Sequence, residues 1–145
     1  MAKPGFTVTG VPQMQRNLQR AAAQIRDKVA AALYREAERV MTKSKRDHVP
    51  VDTGTLRASG HVEQPVRKGR NVSVTLAFGG PAAPYALAVH EHLSRHSPPS
   101  WQHGHVTFSP AGRGPKYLER PLLAAVPGLA KRLAEDIALE KTVKV

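Results

Sequence analysis

Apolar residues recur at Met14, Leu18, Ala22, Ile25, Val29, Leu33, Ala37 and Val40, between a proline at position 12 and another at position 50. Steps of three and four put them on one stripe of a helix. Gln15, Arg16, Gln19, Arg20, Arg26, Lys28, Arg35 and Arg39 fall largely off it. Pro12 is tolerated in a first turn, because its missing N–H has no helical partner there. Val49-Pro50 is a stop, because the residue before proline is pushed out of helical geometry. The expected helix runs from about residue 12 to 46, roughly 50 Å at 1.5 Å per residue. So long a rod with one stripe either packs across the whole domain or projects to meet another copy. Lys43, Lys45 and Arg46 suit the negative end of its dipole, and a phosphate clamp is the alternative use for them.

The second half of the chain reads differently. Val72, Val74, Leu76 and Phe78 alternate strictly with Asn71, Ser73, Thr75 and Ala77, the pattern of a half-buried strand. Residues 60–67, with Val62 and Val66 inward and a break at Pro65, are expected to pair with 71–78 through a Lys68-Gly69-Arg70-Asn71 turn. A short edge strand is expected at Phe6 to Thr9, and a short helix at Tyr85 to Leu93. Ser94 to Pro115 is rich in proline, glycine and histidine and reads as a long loop. It is expected to be mobile in the free subunit and to order on assembly, with Trp101 and Phe108 as anchors. Leu118, Leu122, Val126, Leu129, Leu133 and Ile137 mark a closing helix over about 117–141, which Pro127 must kink or divide. The class is α+β: a long N-terminal helix, a small antiparallel sheet and a C-terminal helix in a single domain of 145 residues.

Between helix and sheet stands Asp52-Thr53-Gly54, followed by Leu56 and Arg57. In an aspartic protease, two such loops share a proton. Here one loop follows a helix, and no later apolar-apolar-glycine segment buttresses it, so the motif lacks its context. The residues are those of a tight turn: an aspartate that accepts backbone N–H groups, a glycine that supplies positive φ, Leu56 packed inward, and Arg57 and Ser59 outward. Asp52 is expected to be structural. His90, His92, His96, His103 and His105 cluster beside Glu91, but their spacing defines no metal geometry and reads as a polar, protonatable loop. No catalytic, metal or cofactor site is expected. The absence of cysteine excludes disulfides and thiolate zinc sites.

The formal charge is +11. No acid occurs in the first 26 residues, and Glu91 is the sole acid from Gln64 to Leu118. Such a balance fits contact with nucleic acid or another acidic partner, with a solvated basic surface as the plain alternative. Candidate contacts are Arg67, Lys68, Arg70, Arg95, Arg113 and Lys116. No run is apolar enough for a membrane span, and the N-terminus has no signal-peptide core, so synthesis in a cytoplasm is expected.

Four segments then agree in order: Thr9-Gly10-Val11 opening a basic helix, Pro50 to Ser59 with D-T-G-x-L-R-x-S, Tyr85 to Glu91 with Y-A-x-x-V-x-E, and Gly114 to Leu122 opening the last helix. Together they resemble the minor capsid or tail-completion family of long-tailed bacteriophages and prophages. One departure is Glu91-His92-Leu93-Ser94, where many members have a Glu-x-Gly-Thr turn. The resemblance implies a structural virion protein and no enzyme. It implies a homo-oligomeric ring of six or twelve copies in the neck, assembled in the host cytoplasm around the DNA channel. Implied partners are portal or connector proteins, tail tube or tail terminator, and packaged DNA through non-specific contacts. Tyr85, Trp101, Phe108, Tyr117 and Leu118 are the expected assembly contacts. A tail terminator, a head-side adaptor, or a basic DNA-binding module outside a virion are the other readings.

Overall fold

The computed structural model describes residues 10–51, 54–92 and 113–142. The expectations placed on Phe6 to Thr9, Asp52, Thr53, Arg95, Trp101 and Phe108 lie outside the described residues.

Helix α1 spans Val11–Lys43 and continues as one π turn, Ser44–His48, in which the Val49 N–H donates to the Ser44 carbonyl. Gly10 caps its start at φ 91°. Val49 leaves it at φ −67°, ψ 126°, the extended geometry that Pro50 imposes. The two halves of the rod differ. Residues 11–27 are exposed throughout, whereas Ala30, Ala32, Glu36, Ala37, Val40 and Met41 are buried. Only the second half of the stripe therefore meets the body of the protein, and the first half projects.

Gly54, at φ 84°, opens the short helix α2, Thr55–Ser59. Leu56 is buried there, as expected. Ser59 does not point out. Its hydroxyl donates to the Leu56 carbonyl and accepts from the Gly79 N–H, tying α2 to the end of the sheet.

The antiparallel hairpin is present in two short ladders. Strands β1 (His61–Val62) and β4 (Leu76–Ala77) pair His61 with Ala77, and β2 (Val66–Lys68) and β3 (Asn71–Ser73) pair Lys68 with Asn71. Three residues, Glu63 to Pro65, stand opposite two, Val74 and Thr75. The extra residue is a bulge at the proline, which cannot donate to a ladder. It shifts the side-chain phase by one, so Val66 lies exposed instead of inward. At the tip Gly69 takes φ 58° and Asn71 belongs to the strand.

Helix α3 spans Ala86–His92, α4 Glu119–Ala125 and α5 Leu129–Thr142. Pro127 divides the last two, with Gly128 at φ 76°. The core gathers Val49, Leu56, Ala83, Ala86 and Tyr117, with Phe78, Val89 and Leu118 packed against it, while α5 lies along the buried half of α1.

Gly60 is where this packing is tightest. Its backbone is ordinary, but an added Cβ would lie 2.5 Å from Cε1 of Phe78 and 2.7 Å from Cε of Lys45. Gly60→Ala is expected to cost about 1–3 kcal/mol by overpacking. An unchanged urea midpoint would show that the Phe78 ring does not sit there.

Candidate assembly surface and basic hairpin

The segment from Arg113 to Pro121 locks the fold, and it does so where three elements converge. Tyr117 is 1% exposed. Its ring meets Phe78 edge-on at 5.0 Å and His90 edge-on at 4.9 Å. Its hydroxyl donates to the Ala86 carbonyl at 2.8 Å, and its own carbonyl accepts from the buried Ser44 hydroxyl at 2.7 Å. One residue thus joins the end of α1, helix α3 and the approach to α4. Burial, and secondarily the charge of a nearby Tyr85 phenolate, pushes the Tyr117 phenol up to about 12, so it remains a donor at neutral pH. The Gly114 N–H donates to the His48 carbonyl and the Lys116 N–H to the His90 carbonyl. Lys116 takes φ 59°, and its ammonium bridges Glu91 at 2.7 Å and Glu119 at 3.1 Å. That bond to Lys116, with one from His90, holds the Glu91 carboxyl below its ordinary value.

These contacts re-sort the expected site residues. Tyr117 is a core side chain rather than a surface one, and Leu118 packs beside it half-buried. Tyr85 is exposed. Arg113 donates to the carbonyls of Arg46 and Val49, and so closes the end of the α1 rod. Its guanidinium and the Lys116 ammonium are committed within the subunit. The C-terminal end of the expected loop, Arg113 to Pro115, is accordingly anchored. Arg57 is exposed and lines a shallow groove with Thr42, Lys45, Arg46, Gly54 and Ala58. Arg46 there is paired with Asp47 at 2.8 Å.

The remaining basic candidates do come together. Arg26 on α1 donates to the Gly69 carbonyl at 2.9 Å, and Arg67 pairs with Asp27 at 3.2 Å. The hairpin tip is thereby held against α1 just where the projecting half begins. Lys68 and Arg70 at that tip, with Arg16 and Arg20 further along the rod, give an exposed and strongly cationic end. The hairpin cations are visible in the sequence, but nothing local there joins them to the helix. The acid-free first 26 residues were the signal that could have done so.

The projecting half of α1 carries the other unusual surface. Met14 is 66%, Leu18 64% and Ile25 59% exposed. They share one face of the helix, and Arg16 and Arg20 lie on the opposite one. A family model described as "Bacteriophage HK97-gp10, putative tail-component" matches residues 12–90, more than half of the chain. The chain belongs to the HK97 gp10-like family. No curated protein and no solved structure matches it. That description of the family supports a phage structural role for the chain. The matched span of this gp10-like protein runs from the first turn of α1 to His90. The segment around Tyr117, which closes the core, follows it. Among the described residues, no helix is long and apolar enough to cross a membrane.

Proposed function

We propose that this gp10-like protein is a non-enzymatic subunit of a ring at the head–tail junction, completing the tail around the DNA channel. The observation that carries the reading is the α1 rod. Half of it stands off the body with four large apolar side chains, Val11, Met14, Leu18 and Ile25, exposed, a surface that a lone subunit has no use for. Heterologous contacts related by rotation close into rings. The cationic end formed by Arg16, Arg20, Lys68 and Arg70 suits contact with the phosphates of passing DNA, independent of sequence. Portal or connector proteins on one side and tail tube or terminator on the other are the partners this position requires.

Native mass spectrometry of the protein after incubation with portal complexes and tail tubes should give a species of six or twelve copies. The partner retained in that species distinguishes a tail-completion ring from a terminator or a head-side adaptor. A protein that stays monomeric with every partner, and binds duplex DNA alone, would overturn the ring and favour a DNA-binding module.

A further inference from the structure

The hairpin has one strand edge that is open. Lys68 and Asn71 close its tip across Gly69-Arg70, and Val66 pairs with Ser73. The Glu63 N–H donates to the Thr75 carbonyl at 2.8 Å. Asn71, Ser73 and Thr75 therefore turn their backbone groups toward the paired strand, and by alternation Val72, Val74 and Leu76 turn theirs away from it. Among the described residues, these outward N–H and C=O groups have no hydrogen-bond partner. Helix α1 does not supply one. It crosses the face of the hairpin, against β1 and β3, on the side where Val72, Val74 and Leu76 are half-buried. Asn71 to Phe78 holds neither charge nor proline. The opposite edge is interrupted by Pro65 and its bulge. An edge without such interruptions is one that natural proteins cover.

We infer that the Val72–Leu76 edge of one subunit takes Phe6 to Thr9 of the next as an added strand. The inference rests on the ring proposed above and names its contact. Residues 1–9 lie outside the described part of the chain, and their sequence alternates Phe6 and Val8 with Thr7 and Thr9. Added to the edge, Phe6 and Val8 extend the apolar row of Val72, Val74 and Leu76 on the face toward α1, and this fixes the register. Main-chain hydrogen bonds supply the affinity of such an added strand. Chain reach decides which subunit is joined. Thr9 is bonded to Gly10, at the far end of the rod. Arg26, which holds the hairpin tip at Gly69, stands about 24 Å back along the rod at 1.5 Å per residue. From that tip the edge runs further toward the body, since the base of the hairpin at Gly60 lies beside Lys45. The stretch from Gly10 back to Phe6 spans at most about 14 Å fully extended. It cannot meet the edge of its own subunit, and the rod carries it outward to a neighbour. A subunit that gives one strand and receives one makes a heterologous contact, the kind that closes a ring.

The absence of native cysteine makes the test direct. Thr7→Cys and Ser73→Cys, the latter at an exposed position of the edge strand, are placed in one chain, or singly in two chains. The protein is assembled with portal complexes and tail tubes before a short bismaleimide is added. The double variant should give a ladder of linked subunits, and mixed single variants should stop at dimers. Val8→Pro removes a donor from the added strand. It should leave the thermal midpoint of the free subunit unchanged and weaken assembly at least about tenfold, the worth of one or two net hydrogen bonds. Links confined to single chains of the double variant would overturn the inference in favour of cover by the subunit's own segment. Dimers from Thr7→Cys alone would overturn it in favour of paired N-terminal segments. Links from Ser73→Cys to portal or tail tube alone would assign the edge to that partner instead. Rings that form as well from Val8→Pro as from the native chain would sink this contact and leave the ring standing. Failure of the native chain to form rings at all would remove both.

Discussion

Tyr117→Ala is expected to destabilise the protein by about 3–5 kcal/mol, the range for deleting a large buried side chain. The loss has three sources. The ring leaves a cavity between Phe78 and His90, which both meet it edge-on. The Ala86 carbonyl loses its donor from the phenol. The surrounding backbone, pinned by the Ser44 hydroxyl to the Tyr117 carbonyl, resists collapsing into the space. Tyr117→Phe keeps the ring and removes the hydroxyl alone, and should cost about 1 kcal/mol. With total stabilities of about 5–15 kcal/mol for such domains, the alanine variant should be substantially unfolded in mild urea. Equilibrium urea curves with matching m-values provide the measurement. A loss below about 1 kcal/mol for alanine would mean that the core is centred elsewhere.

Periodicity made the helices and the hairpin legible, because burial on one face leaves a repeat that needs no partner to be seen. It could not say which part of a stripe is covered. Met14, Leu18 and Ile25 obey the same spacing as Ala37 and Val40, and only the latter pair is buried. The hairpin was legible down to its tip, but the bulge at Glu63 to Pro65 was not, and it turned Val66 outward. Tyr117 sits in a proline- and glycine-rich approach with no repeat. Its partners are 73 and 31 residues away, at Ser44 and Ala86, so nothing local marked it as a core residue. Counting charges failed for a related reason. Arg113 and Lys116 belong to the basic excess, yet their bonds run to α1 and α3 within the same subunit. The cationic end survives as a candidate because Lys68 and Arg70 sit at an exposed tip, which follows from the hairpin itself.

Glu36 shows the same blindness most sharply, since in sequence it is one acid on a basic helix. In the fold its carboxylate is buried between two guanidinium groups, accepting from Arg132 Nε at 2.6 Å and from Arg39 Nη1 at 2.9 Å. Arg132 also donates to the Ala125 carbonyl at 2.5 Å and the Pro127 carbonyl at 3.1 Å, so Glu36 holds the residue that closes the break between α4 and α5. Glu36→Ala is expected to cost about 2–4 kcal/mol. Breaking a buried pair costs about 3–5 kcal/mol, and the partial exposure of Arg132 lets water recover some of that. Acid should reveal the same pair. Burial pushes the Glu36 carboxyl up, but the bonds and charges of Arg132 and Arg39 outweigh it and hold the group below its ordinary value of 4.5. A carboxyl with a depressed folded value gives stability that is fully present above the ordinary value and is lost as pH falls through the folded one. In that window the unfolded chain binds the extra proton. The native protein should therefore exceed Glu36→Gln in stability by a constant margin near neutrality, and the margin should shrink as pH drops below 4.5. Urea midpoints of both proteins from pH 7 down to about pH 3 measure it. A margin that stays constant to the acid end would show that the carboxylate is not held by the two arginines.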